Sequence, residues 1–164
     1  ETNPISPYGE SKVKMEQEIR EFASKHDISY IILRFFNIFG VGQSKEYAGV
    51  ITKFIEKIRQ DRPLEIFGDG LQTRDFVSIQ DVINSIDSAI SNDKSGTYNI
   101  ASGNATSIGD LAKLLIRLSE TNSEIIHKST RKGEIIHSVA NIDKSNKELG
   151  FYPKISLDVG LNTL

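Results

Sequence analysis

Residues 29–36 read Ser-Tyr-Ile-Ile-Leu-Arg-Phe-Phe, a run of strand length that is almost continuously apolar. A strand with one face in water alternates apolar and polar residues, so this run indicates a strand that is covered on both faces. Residues 9–26 before it and residues 50–58 after it carry apolar side chains at helical spacing, and the second segment ends before Pro63. A buried strand between two amphipathic helices predicts an α/β fold.

The rest of the chain continues this alternation of strands and helices. Ser78 and Ser107 are suited to cap helices, and Asp110 completes a capping-box-like start after Ser107. Gly150 is placed to end a helix that begins at Asp143. Further strands are predicted at residues 64–67, 97–100, 124–127 and 135–138, and a last helix from residue 157 onward.

The composition is that of a water-soluble globular protein. Of the 164 residues, 38% are apolar and 26% are charged, which is far from the composition of disordered chains. A net charge of -2 gives no overall attraction to nucleic acid or membrane surfaces, and no apolar run approaches the roughly 20 residues of a membrane span. The expected location is the cytosol.

Two kinds of site are unsupported by the residues present. The chain has no cysteine, which excludes disulfides, thiolate metal sites and thiol nucleophiles. Its three histidines, His26, His127 and His137, are scattered without the spacing of metal ligands, so no metal site is predicted.

Tyr8 and Lys12 lie four residues apart at a helix start and therefore share one helix face. A free tyrosine has a pKa near ~10 and is a poor base at neutral pH unless a nearby positive charge favours the phenolate. Lys12 supplies such a charge, so the pair can act as a proton acceptor for a hydroxyl group. Two solvated neighbours on a polar helix are an equally good reading of these residues alone.

Several segments in order resemble the extended short-chain dehydrogenases, in the branch of NAD-dependent nucleotide-sugar epimerases and dehydratases. Pro-Tyr-Gly-Glu-Ser-Lys at 7–12 and Leu-Arg-Phe-Phe-Asn-Ile-Phe-Gly at 33–40 look like the active-site helix and next strand of that family. Segments 67–77, 98–108, 131–134 and 149–153 match its later landmarks, so the resemblance covers essentially the whole chain. The UDP-galactose 4-epimerases are the most similar subgroup.

This resemblance implies a set of functional residues. Tyr8 and Lys12 would be catalytic and, together with Phe35, would contact NAD. The residues that would bind a UDP-sugar are Asn37, Phe67, Arg74, Arg131 and Glu134. In this role the arginines hold the diphosphate and the phenylalanine stacks on uracil, whereas ion pairs on the surface, a core phenylalanine and a turn-forming asparagine are the structural alternatives.

Five positions need separate comment. Glu134 stands where the related epimerases typically carry an aspartate bonded to the ribose. Phe35 and Phe76 stand where tyrosine occurs in some relatives, which removes two hydroxyl groups. Asp75 is read as structural, holding the turn, as is Asp81 at the helix start.

The resemblance further implies the C-terminal part of an NAD(P)-binding Rossmann-fold protein plus the smaller α/β substrate-binding domain. Residues 1–45 would form the end of the Rossmann-type domain. Residues 46–164 would form mainly the nucleotide-sugar-binding region, although some of their segments could belong to the Rossmann-type domain. Neither the glycine fingerprint for a dinucleotide nor the family's catalytic serine or threonine upstream of Tyr8 occurs here. The gene product is therefore expected to be longer, and this fragment alone inactive.

Three functions remain open. A UDP-hexose 4-epimerase would use Tyr8 to take the proton of the 4-hydroxyl group while hydride passes to NAD, and the hydride would return to the other face of the 4-keto sugar. A 4,6-dehydratase or UDP-glucuronate decarboxylase would begin with the same oxidation and then eliminate water or carbon dioxide. A non-catalytic nucleotide-sugar-binding module would use the binding residues without chemistry.

A homodimer is expected, because relatives pair through a helical bundle that includes the helix at residues 9–26. That helix should then present a second apolar strip besides the one facing the sheet. The strip is thin, since Glu16, Glu18, Arg20 and Glu21 make much of the helix polar.

Overall fold

The computed structural model describes residues 2–43, 49–130, 133 and 135–164. Helices in these ranges are α1 (Pro7–His26), α2 (Val50–Arg59), α3 (Ile79–Ile90), α4 (Ile108–Leu118), α5 (Asp143–Leu149) and α6 (Leu157–Leu161). The strands are β1 (Ile31–Phe35), β2 (Asn37–Phe39), β3 (Leu64–Phe67), β4 (Thr73–Arg74), β5 (Phe76–Ser78), β6 (Gly96–Ile100), β7 (Thr106–Ser107), β8 (Ile125–Lys128) and β9 (His137–Ser138). None of these helices is both long and apolar enough to cross a bilayer.

Parallel pairing joins strands that are distant in the sequence. β1 pairs with β6, β2 with β5 and β3 with β8, all in parallel, while β4 lies between antiparallel β7 and parallel β9. Parallel neighbours need crossover connections, and helices lie between the partners of each pair along the chain. The predicted α/β class is confirmed.

The predicted helix ends are confirmed by their hydrogen bonds. The Ser78 Oγ accepts from the backbone N–H of Asp81 at 3.0 Å, and the Ser107 Oγ accepts from that of Asp110 at 2.9 Å. Gly150 follows α5 with φ +65°, a left-handed conformation that glycine adopts without steric cost. These ends depend on contacts within a few residues, which is why they can be recognised in the sequence.

The predicted strand limits were less accurate. β1 is shorter than the apolar run 29–36, and only His137–Ser138 of the segment 135–138 forms a strand. β2, β4, β5 and β7 were not predicted as separate strands, because two or three residues show no measurable periodicity.

Two apolar cores hold the elements together. The first lies between α2, β3 and α4, and its fully buried members include Leu64, Ile66 and Leu111. The second joins β6, α3 and the segment after α5, around Tyr98 and Ile100. Each such side chain contributes about 1.5–3 kcal/mol when fully buried, so α2 and β3 are firmly placed beside each other.

The inner face of α1 differs from the prediction. Glu16, which the sequence analysis counted with the polar surface of this helix, is only 5% exposed. It faces Arg34 of β1, and Arg20 of the same helix contacts both Glu16 and Thr97 of β6. A carboxylate can occupy this inward position because two guanidinium groups pair with it.

The predicted domain boundary between residues 45 and 46 falls in segment 44–48, which lies outside the described residues. The division into two domains therefore stays a prediction.

Candidate functional site

A cleft of about 440 Å³ lies beside α2, β3, β4 and the first turn of α4. Its volume is in the range of small-molecule sites. Three predicted substrate-binding residues, Asn37, Phe67 and Arg74, line it together. They come from three different strands, so the cleft exists only because strand pairing brings these segments together.

Asn37 is the first residue of β2, where it pairs with Phe76 of β5. Its backbone N–H donates to the carbonyl oxygen of Asp75 at 3.1 Å, and its side-chain Nδ2 donates to the same oxygen at 2.9 Å. The alternative reading of Asn37 as a turn residue is wrong. The two hydrogen bonds instead fix the direction of its side chain at the wall of the cleft.

Phe67 ends β3 and is partly exposed, unlike a core phenylalanine. Its carbonyl oxygen accepts a hydrogen bond from Gln72 Nε2 at 2.7 Å, which closes the turn that follows β3. In this turn Gly70 has φ +80°, and a Cβ there would lie 3.4 Å from the backbone of Gly109 in α4. The positive φ favours glycine at this position, because L residues with a side chain rarely adopt it, and the turn places the end of β3 against the start of α4.

Arg74 lies in β4, with Thr106 of β7 on one side and Ser138 of β9 on the other. Its Nη1 donates to the carbonyl oxygens of Thr73 and Ile135, both at 2.8 Å. These bonds hold the guanidinium group at the wall of the cleft and join it to the segment that leads into β9. Arg131 and Glu134, the other two predicted substrate-binding residues, lie outside the described residues.

Further polar residues that were not predicted also line the cleft, namely Lys53, Glu56, Lys57, Gln60, Glu65 and Gln72. Gln72 is 6% exposed and holds Phe67. Lys53 and Lys57 bring ammonium groups from α2, and the Lys57 Nζ lies 3.6 Å from the Glu65 carboxylate. The signal for the lysines was the helical spacing of 53 and 57, which puts both on one face of the amphipathic helix.

Tyr8 and Lys12 lie on α1 and are not among the residues that line the cleft. The Lys12 Nζ is 5.3 Å from the centre of the Tyr8 ring, so the two side chains share one face as the spacing predicted. Tyr8 is 72% exposed, and its hydroxyl is open to a ligand.

Phe35, at the carboxyl end of β1, is 41% exposed. Ligands of parallel sheets bind at the carboxyl ends of strands, which is the position that Phe35 occupies. Its chemistry and that of Tyr8 and Lys12 are compatible with the nicotinamide end of NAD, and their roles there stay predictions. The three residues would hold only part of that cofactor, because the glycine-rich phosphate loop is not in this sequence.

Two of the three histidines lie within hydrogen-bond distance of residues that adjoin the cleft. The His127 Nδ1 lies 2.7 Å from the carbonyl oxygen of Gly68, and the His137 Nδ1 lies 3.1 Å from Thr73 Oγ1. In the described residues no three acidic or histidine side chains are grouped to hold a metal ion.

Comparison with known proteins gives a consistent family. The family model for the NAD dependent epimerase/dehydratase family matches residues 1–101. A putative UDP-glucose 4-epimerase from Methanocaldococcus jannaschii is 38% identical over 97% of this chain and 52% of its own length. A dTDP-L-rhamnose 4-epimerase from Burkholderia thailandensis is 31% identical over 100% of this chain and 46% of its own. The chain thus spans about half the length of the curated relatives it matches.

Solved structures agree with these relatives. The crystal structure of a UDP-glucose 4-epimerase from Thermotoga maritima, determined with UDP-glucose, superposes with a TM-score of 0.94 at 34% identity, covering 98% of this chain and 52% of that one.

A more distant relative is UDP-glucuronic acid decarboxylase 1 of Arabidopsis thaliana, 26% identical over 97% of this chain and 37% of its own length.

Proposed function

Since the chain belongs to the NAD-dependent epimerase/dehydratase family, we propose that the full-length protein inverts the configuration at C4 of a UDP-hexose. NAD is the cofactor of this family. The observation that carries the proposal is the meeting of Asn37, Phe67 and Arg74 in one cleft. An aromatic ring, an amide and a guanidinium group are the three chemistries that a nucleoside diphosphate sugar requires.

In the proposed complex the binding residues hold the nucleotide part of the substrate. Phe67 offers its ring to the base, and Arg74 offers planar hydrogen-bond donors to the diphosphate. Lys53 and Lys57 line the same cleft, but Glu56 and Glu65 line it too, and Lys57 lies 3.6 Å from Glu65. The attraction for the diphosphate therefore rests mainly on Arg74, because the net charge of -2 cannot attract an anion. We further propose that Arg131 and Glu134 contribute to this site.

The catalytic residues would act on the sugar. Tyr8 takes the proton of the 4-hydroxyl group as the C4–H bond breaks, and gives it back when that bond re-forms on the opposite face. Lys12 stabilises the negative charge on the phenol oxygen, and Phe35 helps to position the cofactor. NAD, when bound, supplies the reversible hydride acceptance that this chemistry needs. The reaction has no net redox change.

A second candidate is the decarboxylation of a UDP-hexuronic acid, which the Arabidopsis relative favours. It begins with the same proton transfer from the 4-hydroxyl group. The higher identities to two 4-epimerases, 38% and 31% against 26%, support epimerisation as the first choice.

A product assay with the full-length protein tests the proposal. The purified protein is incubated with NAD and, separately, with UDP-glucose, UDP-galactose and UDP-glucuronic acid, and the products are identified by chromatography and proton NMR. Interconversion of UDP-glucose and UDP-galactose without net formation of NADH is expected.

Other outcomes lead to different functions. Release of carbon dioxide with a UDP-pentose identifies a decarboxylase, and a 4-keto-6-deoxy sugar identifies a dehydratase. Binding of UDP without conversion of any of the sugars identifies a non-catalytic binding module and refutes the epimerase.

A further inference from the structure

Asp75 occupies the single position between β4 and β5, where the chain passes from one sheet into the next. Its side chain is fully buried, with 0% exposure. The Oδ1 atom accepts from the N–H and Oγ of Ser102 at 2.8 and 2.7 Å, and Oδ2 accepts from the N–H groups of Gly103 and Ala140 at 2.9 and 3.2 Å. These four hydrogen-bond donors, three of them backbone amides, compensate for the cost of removing the carboxylate from water.

The backbone of the same residue contacts the cleft. The carbonyl oxygen of Asp75 is the acceptor for both the N–H and the Nδ2 of Asn37. Arg74 precedes it directly, so two cleft residues depend on the orientation of this one residue. Two chain segments that do not contribute to the cleft, 102–103 and 140, anchor its side chain.

We propose that Asp75 is a positioning residue of the nucleotide-sugar site. Its anchored carboxylate holds the backbone of residues 74–76 in one orientation, so that the carbonyl oxygen of Asp75 fixes Asn37 and the side chain of Arg74 stays at the wall of the cleft. This role goes beyond holding a turn, and it rests on the proposed function because it assumes that the cleft binds the nucleotide sugar.

Asp75→Asn is the direct test, because asparagine has the same shape but only one acceptor atom. If its NH₂ group faces Gly103 and Ala140, two backbone donors lose their acceptor, and if it faces Ser102, one does. In either orientation the anchor is weakened while the size of the side chain is unchanged.

Asp81→Asn is the matched control. Asp81 is 1% exposed and also accepts from two backbone amides of a distant segment, those of Lys154 and Ile155. It does not line the cleft. A general loss of stability therefore affects both variants, whereas a positioning effect is confined to Asp75→Asn.

Two measurements on the full-length protein distinguish a positioning role of Asp75 from a general loss of stability. Calorimetry with UDP is expected to give a Kd that is about tenfold or more higher for Asp75→Asn, since Asn37 and Arg74 are no longer held in one orientation before the ligand binds, and unchanged within about twofold for Asp81→Asn. Hydrogen–deuterium exchange without ligand is expected to be about tenfold or more faster at the Asn37 amide in Asp75→Asn only.

If Asp75→Asn does not fold, Ser102→Ala serves as the test variant. It removes one of the four donors to Asp75 and leaves the three backbone bonds, and it also removes an acceptor for the exposed N–H of Asn104. It is expected to raise the UDP Kd and to speed exchange at Asn37, each by about twofold or more.

The positioning role is refuted if the folded Asp75 variant binds UDP and exchanges at Asn37 like the wild type, or if Asp81→Asn shows equal changes. A wild-type protein that does not bind UDP refutes the proposed function instead, and the exchange measurement still tells whether Asp75 fixes Asn37.

Discussion

Arg34 and Glu16 form a two-pronged ion pair, in which Nε of Arg34 donates to Oε1 of Glu16 and Nη2 donates to Oε2, both at 2.6 Å. Arg20 adds a third contact to the same carboxylate at 3.2 Å. The hydrogen bonds from Arg34 lower the pKa of Glu16 below its ordinary value of 4.5. This pair attaches α1, which carries Tyr8 and Lys12, to β1.

The ion pair predicts a specific dependence of stability on pH. Because the pKa of Glu16 is lower in the folded than in the unfolded protein, its contribution is complete above pH 4.5 and is lost as the pH falls through the folded-state value. Glu16→Gln should lower the free energy of unfolding by about 1–2 kcal/mol at pH 7, less than for a fully buried pair because the Arg34 side chain is 36% exposed.

Urea unfolding of the full-length protein at pH values from about 7 to about 3 measures this effect. The difference between wild type and Glu16→Gln should shrink as the pH falls below 4.5 towards the folded-state pKa of Glu16, because a protonated glutamic acid resembles glutamine. A difference that stays constant over the whole acid range in which the protein remains folded would show that the ion pair does not act through the charge of Glu16.

Tyr8→Phe should lower turnover by about a hundredfold or more in the full-length protein, because the proton acceptor is lost. The side chain is 72% exposed, so the fold and the affinity for UDP should be nearly unchanged. Lys12→Ala should also reduce turnover, since the phenol oxygen loses its neighbouring charge.

Tyr152→Phe, at a tyrosine that is 60% exposed, is the matched control for Tyr8→Phe and should be fully active. Turnover of Tyr8→Phe within about twofold of wild type would refute the catalytic assignment.

Arg74→Ala should weaken the binding of UDP by roughly thirtyfold to several thousandfold, the range for removing a charged partner of a desolvated ligand. Arg74→Lys should restore only part of the affinity, because an ammonium group cannot replace two parallel guanidinium bonds. Binding of NAD should stay within about threefold. Arg117→Ala, which removes an exposed arginine paired with Asp158, is the calorimetric control. Full UDP affinity in both Arg74 variants would make this arginine purely structural.

The surface of α1 predicts a homodimer. With Glu16 turned inward, Met15 and Phe22 remain exposed at 43% and 58%, beside Ile28 at 51%. Together with Ile19 and Tyr30 they line a shallow apolar groove, a more extensive apolar surface than the sequence analysis expected. Light scattering of the full-length protein at micromolar concentration should therefore give the mass of a dimer.

Phe22→Glu should convert this dimer to a monomer, since a carboxylate at the centre of the groove would be desolvated. Val159→Glu alters an apolar side chain of similar exposure, 61%, on α6 and should leave the dimer intact. A wild-type protein that scatters only as a monomer would exclude pairing through this face.

Features that depend only on neighbours along the chain could be predicted from the sequence. The apolar run at 29–36 indicated a buried strand, Ser78 and Ser107 indicated helix starts, and the four-residue spacing of Tyr8 and Lys12 placed them on one face. Each of these follows from the geometry of a single element, so no knowledge of distant residues was needed. The ordered motifs of the family added roles for individual residues, which local physics alone left open.

Which of those residues come into contact depends on the pairing of distant segments in the folded protein. Asn37 and Arg74 are placed by the pairing of β2 with β5 and of β4 with β9, and Phe67 joins them from the end of β3, which pairs with β8. The strands that carry Asn37 and Arg74 have only two or three residues, too few to show a periodicity from which to predict a partner. The inward position of Glu16 likewise depends on Arg34 of β1, and a helical pattern does not specify which face will meet a guanidinium group. Long-range pairing is set by the packing of the whole core, which no single segment of sequence contains.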